Sequence, residues 1–97
     1  MLKTDAGNGR EVERKATDAE LALLSEVKSA ADALKELVGR VDVHLTEQYD
    51  HAHAAKDLET MERLHNADPL KWLGSAKHTL QTGLMCLRRA IEQPDDF

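Results

Sequence analysis

Apolar residues in the C-terminal third of the chain recur at a helical spacing. Leu70, Leu73, Ala76, Leu80, Leu84, Leu87 and Ile91 follow one another at intervals of 3, 3, 4, 4, 3 and 4, which lays a single stripe along a helix. Asp68 and Pro69 stand just before it. An Asp side chain can accept from the orphan N–H groups of a first turn, and a Pro at the first helical position forfeits no hydrogen bond. Pro94 closes the segment, because it cannot continue a helix and pushes the residue before it out of helical geometry. The pattern predicts a helix roughly 36 Å long.

A second stripe precedes it. Leu24, Val27, Ala31, Leu34, Val38, Val41 and Leu45 recur at 3, 4, 3, 4, 3 and 4, a heptad seam that favours a paired helix. Thr17 and Glu20 open this helix with the spacing of a capping box. Two long helices with one seam each predict an all-α fold, a helical hairpin of two antiparallel helices. Leu21, Leu23, Leu37 and Val43 lie beside the seam. One partner helix cannot cover them, so the hairpin is expected to assemble into a homo-oligomeric helical bundle. Gly74 and Gly83 each cost about 1 kcal/mol relative to Ala inside a helix. They predict a close helix crossing, with Gly39 interrupting the first helix and facing Gly83 or Gly74.

The segment between the stripes is less patterned. Leu58, Met61 and Leu64 predict a short amphipathic helical piece before Asp68. Residues 1–16 are polar, carry Gly7-Asn8-Gly9 and read as a flexible arm, with 17–93 as the hairpin domain and 94–97 as a tail.

Composition narrows the function. At 97 residues the chain makes one domain, and with only Tyr49, Trp72 and Phe97 as aromatics its core is thin and aliphatic. Charged residues make up 32% of the chain and the net charge is −5, which argues against duplex nucleic acid as a partner. No secretory signal and no membrane-spanning apolar run is visible, so the expectation is a cytoplasmic protein with no membrane partner. The single Cys86 forbids an internal disulfide and, among apolar neighbours, reads as a buried thiol. His44, His51 and His53 lie near Asp50, but His51 and His53 are two residues apart and point about 200° away from each other on a helix. They read as solvated, with no metal site. No nucleophile–base pattern and no phosphate loop between strand and helix occurs, so neither an enzyme nor a bound cofactor is expected.

What the chain does offer is anion binding. The positive end of the last helix carries Lys71 and, further on, Lys77 and His78. Lys28 lies on the first helix, and Arg10, Arg14 and Lys15 lie on the arm. Trp72 can stack on a base, although a Trp at a helix start more often anchors the edge of a core.

The run Ala76-Lys77-His78-Thr79-Leu80-Gln81-Thr82-Gly83-Leu84-Met85-Cys86-Leu87-Arg88-Arg89-Ala90-Ile91, with Trp72 before it, resembles the C-terminal signature of a phage helical-hairpin family. Ala19-Glu20-Leu21 through Val27-Lys28 resembles the family's opening helix, and together the likeness covers about two thirds of the chain. Members block the bacterial CBASS and Thoeris immune systems as homo-oligomeric sponges. The resemblance implies a non-catalytic protein acting in the host bacterial cytoplasm. It would sequester a cyclic oligonucleotide or cyclic ADP-ribose-type signal and assemble with itself, as a hexamer. It places a phosphate-contacting lysine at Lys28. The family's base-stacking tyrosine falls near Glu13 or Arg14 in an arm without aromatics, where the Arg14 guanidinium offers the stacking plane. The ligand residues expected are therefore Lys28, Arg14, Lys71, Lys77 and Trp72. The alternative is a structural or protein-interaction hairpin with no small-molecule ligand.

Overall fold

The computed structural model describes residues 14–95. Three helices follow in order: α1 Asp18–Ala54, α2 Leu58–Ala67 and α3 Pro69–Glu92. There is no strand among the described residues, so the expected all-α class holds. The long helices α1 and α3 pack side by side, and α2 packs on α1 at the elbow. The result is a rod of 73 × 23 × 13 Å. No described helix is long and apolar enough to cross a membrane.

The capping box at Thr17 forms as its spacing predicts. The Glu20 N–H donates to the Thr17 hydroxyl at 3.1 Å, and the Thr17 N–H donates to Glu20 Oε1 at 2.8 Å. From there α1 runs unbroken through Gly39 and beyond Leu45 to Ala54. Gly39 therefore does not interrupt the helix: helix formation is cooperative, and one glycine's cost of about 1 kcal/mol does not break a long run of good formers. The extension past Leu45 continues the seam by one heptad, since Ala52 is buried like Leu45. Lys56, at φ 53°, turns the chain. Asp57 then caps α2, accepting from the Thr60 N–H at 3.1 Å and from the Thr60 hydroxyl at 2.7 Å.

On α2 the expected amphipathic stripe is present but uneven. Leu64 is 2% exposed and Met61 half-buried, while Leu58 is 74% exposed. Asp68 departs from its expected role. Its backbone is left-handed (φ 48°, ψ 56°) and its side chain makes no cap hydrogen bond. Its N–H instead donates to the Leu64 carbonyl at 2.8 Å. Asp68 thus ends α2 and does not cap α3, because Pro69 disfavours right-handed helical geometry in the residue before it.

The core is as thin as the aromatic count implies: only Leu45, Ala52 and Leu64 are buried among the described residues. Leu24, Val27, Ala31, Leu34 and Val38 of α1 meet Leu73, Leu80, Leu84 and Ile91 of α3 half-buried, while Leu70, Ala76, Leu87 and Val41 remain exposed. A two-helix pair covers each seam from one side only, which is the physical reason for the incomplete burial. Two expectations fail on the same ground. Cys86 is exposed and not a buried thiol, and Trp72 is 65% exposed and does not anchor a core edge.

The glycines also differ from expectation. A Cβ added at Gly39, Gly74 or Gly83 meets nothing within 4 Å, so none of the three marks a close crossing among the described residues. Gly39 and Gly74 line one shared groove. Gly83 lies on the opposite side of α3, given about 100° of rotation per residue.

Candidate functional site

Residues on one flank of the α1 seam, Lys28, Asp32, Lys35 and Asp42, follow a helical spacing, as do Lys77, Gln81, Met85 and Arg88 on α3. Packing the two seams together puts these rows on the same side of the hairpin, where they wall a continuous open groove. Its first section, of about 900 Å³, lies near the start of α1 and the end of α3. It has a floor of Leu24, Val27 and Leu84 and walls carrying Ser25, Lys28, Gln81, Arg88 and Arg89. Its second section, of about 670 Å³, is walled by Lys35 and Lys77 over Leu34, Val38, Leu73 and Leu80. Ala31, Gln81 and Leu84 belong to both. Lys28 and Lys35 stand two turns apart, about 10 Å along the helix.

Charge separates this groove from the rest of the molecule. Five basic residues line it, Lys28, Lys35, Lys77, Arg88 and Arg89, against three carboxylates, Asp32, Asp42 and Glu92. The chain as a whole carries −5. Lys28 Nζ lies 3.5 Å from Asp32 Oδ2, with both side chains well exposed. Such a surface pair holds the lysine weakly, so its ammonium remains free to meet an anion. Arg88 has no ion-pair partner among the described residues. Leucine floors with cationic walls suit a ligand that has apolar or aromatic faces and negative charge at its edges.

The other expected residues are distributed differently. Arg14 is engaged in a clasp. Its Nη1 donates to Glu20 Oε1 at 3.1 Å, and its Nη2 donates to the carbonyls of Glu92 at 3.0 Å and Ile91 at 3.3 Å. It satisfies orphan carbonyls at the end of α3, so it ties the two ends of the hairpin together. The Thr17 N–H, and then the Arg14 guanidinium, hold the Glu20 carboxyl below its ordinary value. Lys77 lines the second section of the groove. Lys71 sits 5.6 Å over the Trp72 ring, a cation–π pair, and neither residue lines the groove. Glu13, with the rest of residues 1–13, lies outside the described residues.

Arg88, Arg89, Lys35, Gln81 and Ser25 were not singled out by pattern. The signal for them was present, because an antiparallel pairing of the two seams must bring the end of α3 beside Lys28. At the elbow, Tyr49, Asp50, His53, Met61, His65 and Asp68 line a separate hollow of about 760 Å³. Its two carboxylates make it a poor seat for an anion. No group of three or more His, Cys, Asp or Glu among the described residues is arranged to hold a metal ion. His44, His51 and His53 are all exposed.

The fold and groove together define a class: a short helical hairpin with a cation-walled groove along one face. No protein-family model matches the chain. It is 32% identical over 95 residues to anti-CBASS protein 2 of Pseudomonas phage JBD67, a match covering 84% of this chain and 88% of the relative. The chain belongs to the anti-CBASS protein 2 family.

Proposed function

We propose that this protein is a phage-encoded sponge. It binds and sequesters a cyclic oligonucleotide, or a cyclic ADP-ribose-type signal, without cleaving it, and so inhibits CBASS or Thoeris defence inside the host bacterium. Family membership supports action against CBASS. The observation that carries the sponge reading is the groove: five basic residues over a leucine floor, in a chain of net charge −5. Lys28 and Arg88 flank its first section and are the residues assigned to phosphate, with Lys77 on the second. Arg14 ties the start of α1 to the end of α3, at the same end of the hairpin as the groove's first section. Trp72 and Lys71 stand apart and would join the site only through contact with a further subunit. Binding without turnover belongs to this reading, and the Thr60 hydroxyl that donates to Asp57 is spent on the cap of α2, outside the groove. Self-assembly belongs to the same reading, given the exposed Leu21, Leu23, Leu37 and Val43.

The test is recovery of ligand. Purified protein is mixed with a panel of cyclic oligonucleotides and cyclic ADP-ribose isomers, washed, and heat-denatured. A sponge releases one or more of them chemically intact. Altered ligand would make the protein an enzyme. No retention of any compound would leave a hairpin that binds protein alone.

A further inference from the structure

The end of α3 is held by a residue from the other end of the chain. The last four carbonyls of a helix have no partner within it. On α3 these belong to Arg89, Ala90, Ile91 and Glu92. The Gln93 N–H, on a left-handed residue at φ 52°, donates to the Arg89 carbonyl at 2.7 Å. Pro94 follows and has no N–H to offer the next carbonyl. The Ile91 and Glu92 carbonyls accept instead from Arg14 Nη2, at 3.3 and 3.0 Å. The same guanidinium is fixed from its other nitrogen. Arg14 Nη1 donates to Glu20 Oε1 and lies 3.0 Å from Glu20 Oε2, and that carboxylate accepts from the Thr17 N–H at 2.8 Å. The start of α1 therefore caps the end of α3.

We infer that Arg14 is a positioning residue for the groove's first section: braced by Glu20, it keeps the last turn of α3 wound and so holds Arg88 and Arg89 at the wall across from Lys28. Three observations carry this. Arg88, Arg89 and Glu92 all line the first section, and all fall within the last five residues of α3. Packing does little to keep that turn in place, since α3 has no buried residue, Ile91 is half-buried and Leu87 is 54% exposed. Helix ends with so little cover open at almost no cost. One guanidinium also engages a carboxylate and two carbonyls at once, a network that outweighs a lone surface pair.

Arg14 thus acts on a bound anion through Arg88 and Arg89. With the cap gone, a frayed turn carries these side chains, and a ligand must order that turn as it binds, which lowers affinity. Lys28, well inside α1, keeps its place either way. What the two arginines do for an anion rests on the sponge reading above; the cap itself does not.

Amide hydrogen exchange on the ligand-free protein tests the cap. Arg14→Ala should speed exchange at residues 89–92 about tenfold, while the amides around Leu45 and Ala52 keep their rates. Arg14→Lys keeps the charge but loses the planar fork that reaches all three groups, so it should speed the same amides about threefold or more. Unchanged exchange in Arg14→Ala, or a uniform change through α1 and α3, would overturn the inference. The link to the groove is read with anilinonaphthalene sulfonate, a fluorescent probe with aromatic faces and one anion. Arg14→Ala and Arg88→Ala should each weaken its binding by about 3- to 10-fold, and the double variant scarcely more than either. Lys28→Ala should add its full effect in both backgrounds. Additive losses for Arg14→Ala and Arg88→Ala would make Arg14 a ligand contact in its own right and overturn the positioning role. A wild type that does not bind the probe, or binds it regardless of Arg88, counts against the groove reading alone, with the cap still decided by exchange.

Discussion

Leu64→Ala should be the most damaging apolar truncation in this protein. Leu64 is 2% exposed, the lowest value among the three buried residues of the described core, and it lies on α2, which packs on α1. Replacing a buried Leu by Ala costs about 2–5 kcal/mol, the transfer of the lost methyl and methylene groups plus a cavity term. Here α2 is a single ten-residue helix on the outside of the elbow, so the site can collapse and the cost falls near the lower end, at about 2–3 kcal/mol. In a domain of this size 1 kcal/mol shifts Tm by roughly 4–8 °C, which predicts a fall of about 10–20 °C. Circular dichroism melts at one fixed protein concentration provide the measurement, since association also raises Tm. Leu58→Ala on the same helix is the control: its side chain is 74% exposed and its removal should stay within about 0.5 kcal/mol. The packing argument fails if Leu64→Ala melts within about 2 °C of wild type, or if Leu58→Ala costs as much.

Lys28→Ala should weaken binding of whichever nucleotide signal is retained by about 10- to 150-fold in calorimetry, the loss of one charge-assisted phosphate contact. Arg88→Ala should do the same, and unchanged affinity in both would move the site to Lys77. The Glu20 and Asp57 carboxyls are both held low, Glu20 first by the Thr17 N–H and Asp57 first by the Thr60 hydroxyl. Their contribution to the two helix starts is therefore complete above the ordinary values of 4.5 and 3.8 and is lost as pH falls through the lowered ones. An acid titration of helicity should show this loss, and Thr60→Val should remove the part due to Asp57. Gly39→Ala fills open space in the middle of α1 and should raise Tm by roughly 4–8 °C, as a gain of up to about 1 kcal/mol implies.

Local pattern alone determined the two long helices, their antiparallel pairing and the Thr17 capping box. Each of these depends on residues within a few turns of one another: seam intervals of 3 and 4, or a hydroxyl and a carboxylate three residues apart. The family was legible for a related reason, since the Ala76–Ile91 run carries its signature in contiguous residues. Lys28 and Lys77 were also visible, as basic residues flanking a seam.

Only the tertiary structure decided what depends on distance between segments. Arg14 reads as a free cation in an arm, but the end of α3, nearly eighty positions later, offers it two carbonyls, and the clasp follows. Arg88 becomes part of a groove because antiparallel pairing brings it to Lys28. Asp68 looks like a cap in sequence, yet its backbone is left-handed, its side chain makes no cap hydrogen bond and its N–H closes the preceding helix instead. Cys86, Trp72 and the three glycines were misjudged for one shared reason. Periodicity states that a residue lies on a face, but two helices leave most faces uncovered. Which face is covered is settled by long-range packing, which no local spacing encodes.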